Sequence, residues 1–176
     1  VPVFAGFYSK DMILEAAFAA QSPAGAFAFW IGIAAAFMTA FYSWRLLFMT
    51  FHGKPRADEK VMDHVHESPM IMTVPLAFLA VGAVAAGVVF APQFIGEGRE
   101  VFWGAALQVL AENDTVARAH HVPVWVKILP IATGAAGILL AFVFYMRARH
   151  WPAAVAGSFS RLHGFLFNKW YFDELY

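Results

Sequence analysis

The chain has 176 residues, 61% of them hydrophobic and 14% charged, with a mean hydropathy of +0.61 and zero formal net charge. Soluble domains are roughly 45–50% apolar and about 25% charged, so a water-soluble core cannot hide this surface, least of all with 19 Phe and 6 Trp. Zero net charge gives no reason to expect nucleic acid as a partner. The absence of cysteine excludes disulfides, thiolate metal sites and cysteine catalysis from this sequence.

The apolar residues fall in runs near the ~20 residues a helix needs to cross ~30 Å of hydrocarbon. Lipid leaves no partner for an unpaired backbone group, so the runs predict helices. Short segments of strict alternation, the mark of a membrane β-barrel, are lacking. The expectation is an all-α, polytopic transmembrane helix bundle of about four spans. The chain starts at Val1, without a basic segment and cleavage site. It reads as a piece of a longer polypeptide with no signal peptide.

The first span covers about 1–20 and carries Lys10, Asp11 and Glu15. Gln21 to Gly25 is a turn punctuated by Pro and Gly. The second span, 26–51, is uncharged but for Arg45. A polar loop, His52 to Glu67, precedes Ser68-Pro69, which reads as an N-cap followed by Pro at the first helical position. The third span is 69–91. The connection from Gln93 to Val122 contains an apolar stretch, 100–111, that reads as an interfacial helix with Trp103 at headgroup level. The fourth span, 124–146, begins near Lys127, read as an outer-interface residue, and stops at Arg147-Ala-Arg149. Residues 1–151 are thus expected to form the bundle, and 152–176 a connector on the inner side.

Alternate connections share a side of the membrane. One side receives Arg99 and Arg118; the other receives Lys54, Arg56, Lys60, Arg147, Arg149, Arg161 and Lys169. The basic side is the cytoplasm or the mitochondrial matrix. The first span therefore runs outward, with loop 52–68 and the tail inside. Gly82/Ala86 and Ala83/Gly87 on the third span are pairs of small residues that let helices approach. Ala132/Ala136, with Gly134 and Gly137, give the fourth span a similar face. Pro75 and Pro130 each remove a backbone donor and are expected to bend their helices.

The charges of the first span are the most informative feature. A charge at the bilayer centre costs ~2.5–3.5 kcal/mol on insertion scales, so such groups usually face a bundle interior or a watery path. Gly6 weakens a helix, and Ser9 can cap a new helix start with Asp11 in its first turn, which predicts a break here. On an unbroken helix Lys10 and Asp11 point about 100° apart and need partners elsewhere. Asp11 and Glu15 share a face. A lysine balanced between desolvation and a nearby carboxylate can take and release a proton near neutral pH. The alternative is an interfacial placement with the Lys10 stem snorkelling to headgroups; spacing leaves both open. Arg45 reads as a snorkelling or helix-pairing residue. His64-Val-His66 and His120-His121 have metal-ligand spacing, but polar loops without a thiol argue against a metal site.

Several stretches together resemble one family. Val3-Phe-Ala-Gly-Phe-Tyr-Ser-Lys-Asp11 is similar to the start of the broken twelfth helix in the antiporter-like subunit L of respiratory complex I, NADH-quinone oxidoreductase, whose mitochondrial counterpart is subunit 5. Phe41-Tyr-Ser-Trp-Arg45 through Gly53, His66-Glu-Ser-Pro69 and Asn168 to Tyr176 resemble later landmarks in order. The resemblance implies a proton-translocating subunit with Lys10 and Asp11 on the proton path; Glu15 and Arg45, singled out by their charge within apolar spans, are candidate accessory groups. It also implies that the tail leads into a lateral helix, that other membrane-arm subunits are partners, and that NAD, FMN, iron–sulfur clusters and quinone belong to other subunits. Subunits of multi-subunit cation/proton antiporters and membrane-bound hydrogenases share the first motif. A structural membrane scaffold without a transport role is the reading from another class.

Overall fold

The computed structural model describes residues 4–53, 57–107, 109 and 114–175. Val1, Val3, Lys54, Arg56 and Tyr176, all used in the sequence reading, lie outside them, as do 108 and 110–111 of the stretch 100–111. The described residues form helices joined by turns, with no strand among them. In chain order the helices are α1 (Ala5–Ala19), α2 (Pro23–Phe51), α3 (Glu59–Met62), α4 (Met70–Phe94) and α5 (Arg99–Trp103). Then follow α6 (Thr115–Ala119), α7 (Val124–Phe142), α8 (Trp151–Ser158), α9 (Ser160–Phe167) and α10 (Phe172–Leu175). A π-helical turn, Val143–Arg147, continues α7.

Among the described residues, three helices are long and apolar enough to cross a bilayer: Pro23–Phe51, Met70–Phe94 and Val124–Arg147, of 29, 25 and 24 residues. At about 1.5 Å per residue each exceeds the ~30 Å hydrocarbon core. Their apolar side chains are largely exposed; Ile71, Phe78, Leu79 and Val81 of α4 are examples. In water such a surface would be untenable, whereas lipid or neighbouring apolar helices satisfy it. This is an all-α polytopic membrane fragment.

Helix starts differ from the expected ones for local reasons. Ser22 accepts the Gly25 N–H at 3.0 Å and Pro23 occupies the first helical position, so α2 starts at Pro23 rather than 26. Pro69 is itself the cap of α4, with extended backbone and its carbonyl accepting from Met72 and Thr73, so Ser68 does not cap it. Among its described residues the stretch 100–111 is helical only as far as Ala106, in α5, which begins at Arg99, and the turn after it. It passes from α5 into a 3-10 turn at Gly104, whose φ of +46° few side chains tolerate. The tail is helical over α8, α9 and α10, and Lys169, Trp170 and Tyr171 all have positive φ.

The chain divides into two compact units. One comprises residues 1–36 and 55–133, the other 37–54 and 134–176. In the first, Leu14, Phe29, Ile33 and Val126 form a buried cluster. Phe18 meets Phe29 and Trp125 edge-to-face at 5.4 and 5.2 Å between ring centroids, a favoured geometry for aromatic pairs. Gly87 brings α4 onto the start of α1: a Cβ there would lie 2.8 Å from the Ala5 backbone. In the second unit Gly137 plays the same part against Phe37 O, and Phe41 packs edge-on to Phe144.

Candidate functional site

The charged residues of the first span lie on one unbroken helix. α1 begins after Phe4, whose backbone is extended, and runs through Gly6 and Ser9 without interruption. Ser9 does not cap a helix start. Its hydroxyl donates back to Gly6 O at 3.4 Å, a bond serine makes inside helices. The cap, Phe4, lies five residues before Ser9, and Asp11 sits in the second turn. Fifteen residues give α1 a length of about 22 Å, shorter than the ~30 Å hydrocarbon core.

Lys10 and Asp11 are each other's ion partner. Lys10 Nζ lies 3.8 Å from Asp11 Oδ1. The flexible lysine stem overcomes the angular offset of adjacent helical positions, which is why the expected partners on other helices are not needed for this contact. Lys10 Nζ also stands 6.0 Å from the centroid of the Phe7 ring, at the outer reach of a cation–π interaction. The lysine side chain is 43% exposed and the aspartate 16%. Asp11 Oδ1 is buried and has no hydrogen-bond donor. An anionic oxygen withdrawn from water without a donor is costly, on the order of 1–3 kcal/mol or more. The cost falls when a proton arrives.

Glu15 is half-buried one turn further along α1. Its neighbour Leu14 shares a buried cluster with Val126, which brings the start of α7, with Lys127, to this part of α1. Lys127 Nζ donates to His120 O at 3.0 Å, and the His120 ring donates through Nε2 to Ile95 O at 3.0 Å. These two residues were missed as companions of Glu15 because they are far off in sequence. The apolar contact that joins them, Leu14 with Val126 in one cluster, is visible only in the fold.

Arg45 lies in the other compact unit, 5.5 Å from the centroid of the Tyr145 ring. His64 Nδ1 bonds Lys60 O at 2.7 Å. No group of three His, Asp or Glu among the described residues could hold a metal ion. The connection before α6 carries a bidentate pair: Arg99 donates through Nη1 to Asp114 Oδ1 at 3.1 Å and through Nη2 to Asp114 Oδ2. Asp114 also caps α6, accepting from Ala117 N at 2.9 Å. The Arg99 bonds, with the help of that backbone N–H, hold the Asp114 carboxyl down to about 2. Asp114 in turn raises the Arg99 guanidinium above its ordinary value.

Comparison with known proteins decides the family. The chain is 36% identical over its whole length to NADH-quinone oxidoreductase subunit L of Rhodobacter capsulatus. Over 99% of its length it is 37% identical to NADH-ubiquinone oxidoreductase chain 5 of Phytophthora infestans and 33% identical to that of Marchantia polymorpha. The chain belongs to the subunit L family of NADH-quinone oxidoreductase. It spans 32% of the Rhodobacter protein and 26% of the other two. No family model matches it. Within this subunit L segment, the sequence-expected pair Lys10 and Asp11 comes together, Glu15 joins them through α1, and Arg45 stands in a separate unit.

Proposed function

We propose that this chain is a membrane segment of a proton-translocating subunit of NADH:quinone oxidoreductase, with Lys10 and Asp11 forming its proton site. The observation that carries the reading is the Lys10–Asp11 contact at 3.8 Å with Asp11 Oδ1 buried and lacking a donor. Kinship to subunit L and chain 5 supports the assignment to this complex rather than to a cation/proton antiporter or a hydrogenase. Redox chemistry elsewhere in the complex shifts charge along the membrane. Lys10 then gives up its proton to the Asp11 carboxylate, becoming neutral as Asp11 becomes an acid. The proton leaves outward, and Lys10 is reprotonated from the inner side. Proton transfer at matched sites of this kind follows from balancing desolvation against opposite charge.

Loop 52–68 and the tail lie on the cytoplasmic or matrix side, and the tail leads toward a lateral helix. Partners are the other membrane-arm subunits and the lipid bilayer. NAD, FMN, iron–sulfur clusters and quinone act in other subunits. Asp11→Asn preserves shape while removing the proton acceptor. The assembled complex carrying it should form normally, as judged on native gels, and eject fewer protons per quinone reduced. Unchanged pumping in that variant would overturn the assignment of Asp11.

A further inference from the structure

Beyond Asp11, α1 carries one more ionisable side chain, Glu15. Glu15 lies one helical turn beyond Asp11 on the same face, toward the helix end assigned to the outer side. Its neighbour Leu14 is buried in one cluster with Val126, and Phe18 meets the Trp125 ring at 5.2 Å. These contacts set the first turn of α7, and with it Lys127, beside the second half of α1. Lys127 is half-buried, and its ammonium is tied to His120 O at 3.0 Å. The His120 ring is itself bonded to Ile95 O. The exposed bond to His120 O holds the ammonium against the protein in place of the headgroup contact of a snorkelling lysine.

We propose that Glu15 receives the proton from Asp11 and that Lys127 is a positioning residue that holds a fixed positive charge beside it. This rests on the reading of Lys10 and Asp11 given above. In the first step Lys10 passes a proton to the Asp11 carboxylate. Next, Asp11 as the acid passes it to the Glu15 carboxylate and returns to its anion. Glu15 then releases the proton to outer water, forming hydronium and recovering its own carboxylate. Lys127 stays an ammonium throughout. It offsets the repulsion that Asp11 and Glu15 exert when both are ionised, and it disfavours retention of the proton on Glu15. Without it, two carboxylates one turn apart would share one charge and the proton would stall between them.

The test uses the assembled complex in sealed vesicles, reading protons ejected per quinone reduced for Glu15→Gln, Lys127→Gln, Lys127→Arg and Lys10→Ala. The expected result is a loss in Glu15→Gln and Lys127→Gln matching that in Lys10→Ala, with pumping retained in Lys127→Arg. Full pumping in Glu15→Gln and Lys127→Gln beside a loss in Lys10→Ala overturns this exit route and leaves the Lys10–Asp11 site standing. Full pumping in all four overturns both. Loss in Lys127→Arg equal to that in Lys127→Gln makes Lys127 a packing element and overturns its electrostatic role. If Lys127→Gln prevents assembly, Lys127→Met and the Glu15→Gln result decide the matter on the same terms.

Discussion

Asp11 Oδ1 is held away from water with a lysine 3.8 Å off and no hydrogen-bond donor. Asp114, an aspartate of the same chain, is treated in the opposite way: it accepts two bonds from Arg99 and one from the Ala117 N–H. The contrast separates a buried carboxylate oxygen without a hydrogen-bond donor from a carboxylate held by three bonds. For Asp114 the sign follows directly. Its folded value is lowered from 3.8 to about 2, so its contribution to stability is complete above 3.8 and is lost as pH falls toward 2. Protection of the Thr115–Ala119 amides, taken as their exchange rate relative to the unstructured chain at the same pH, should therefore be high at neutral pH and fall across that acid window; Asp114→Ala should lower it at neutral pH already. Exchange that is unaltered in Asp114→Ala would contradict the capping role. At this scale Lys10, Asp11 and Glu15 were legible in sequence because charges stand out in an apolar run. Their mutual arrangement was not: angular offset predicted separation, while a flexible lysine side chain closes the gap. Lys127 and His120 belonged to other elements, and no local pattern ties them to Glu15.

Helices meet where glycine lets backbones approach. Gly87 lies against the Ala5 backbone and Tyr8, and Gly137 against Phe37 O, whereas Gly82 and Gly134 have nothing within 4 Å of an added Cβ. Gly87→Ala should destabilise the packing of α1 on α4 by about 1–3 kcal/mol, the usual cost of overpacking. Gly82→Ala should stay within about 0.5 kcal/mol. Thermal unfolding of the detergent-solubilised protein distinguishes them, and equal effects at the two sites would contradict the packing described. Spacing in the sequence identified both pairs of small residues, Gly82/Ala86 and Ala83/Gly87. It could not say which of them meets a neighbour, because periodicity shows which residues share a face and not what covers that face. Helix starts were misplaced by a few residues where short-range bonds decide: the Ser22 hydroxyl on Gly25 N–H for α2, and the Ser9 hydroxyl turned back to Gly6 O in α1.

At the scale of the molecule, three helices of 24 to 29 residues among the described residues, with largely exposed apolar faces, make this a membrane protein. That much was open to sequence reading, since length and hydropathy alone impose it. Sidedness rests on the basic bias of alternate connections, and the chain lends itself to a direct check because it has no native cysteine. Single-cysteine variants Asp58→Cys and Glu97→Cys place thiols at exposed positions in successive connections. A membrane-impermeant maleimide added to vesicles with the cytoplasmic or matrix face outward should label Asp58→Cys and leave Glu97→Cys unlabelled. The reverse pattern would invert the topology and, with it, the direction in which Glu15 leads. The connection over 100–111 shows where composition misleads: its apolarity suggested one helix, yet Gly104 turns the backbone after Trp103.

The most direct measurement is proton ejection from sealed vesicles by the assembled complex with Lys10→Ala, recorded beside NADH:quinone turnover in the same preparation. If Lys10 is on the proton path, fewer protons are ejected per quinone reduced while the complex assembles as before. Full pumping at unchanged turnover would contradict the account and reduce the Lys10–Asp11 contact to a structural detail of α1.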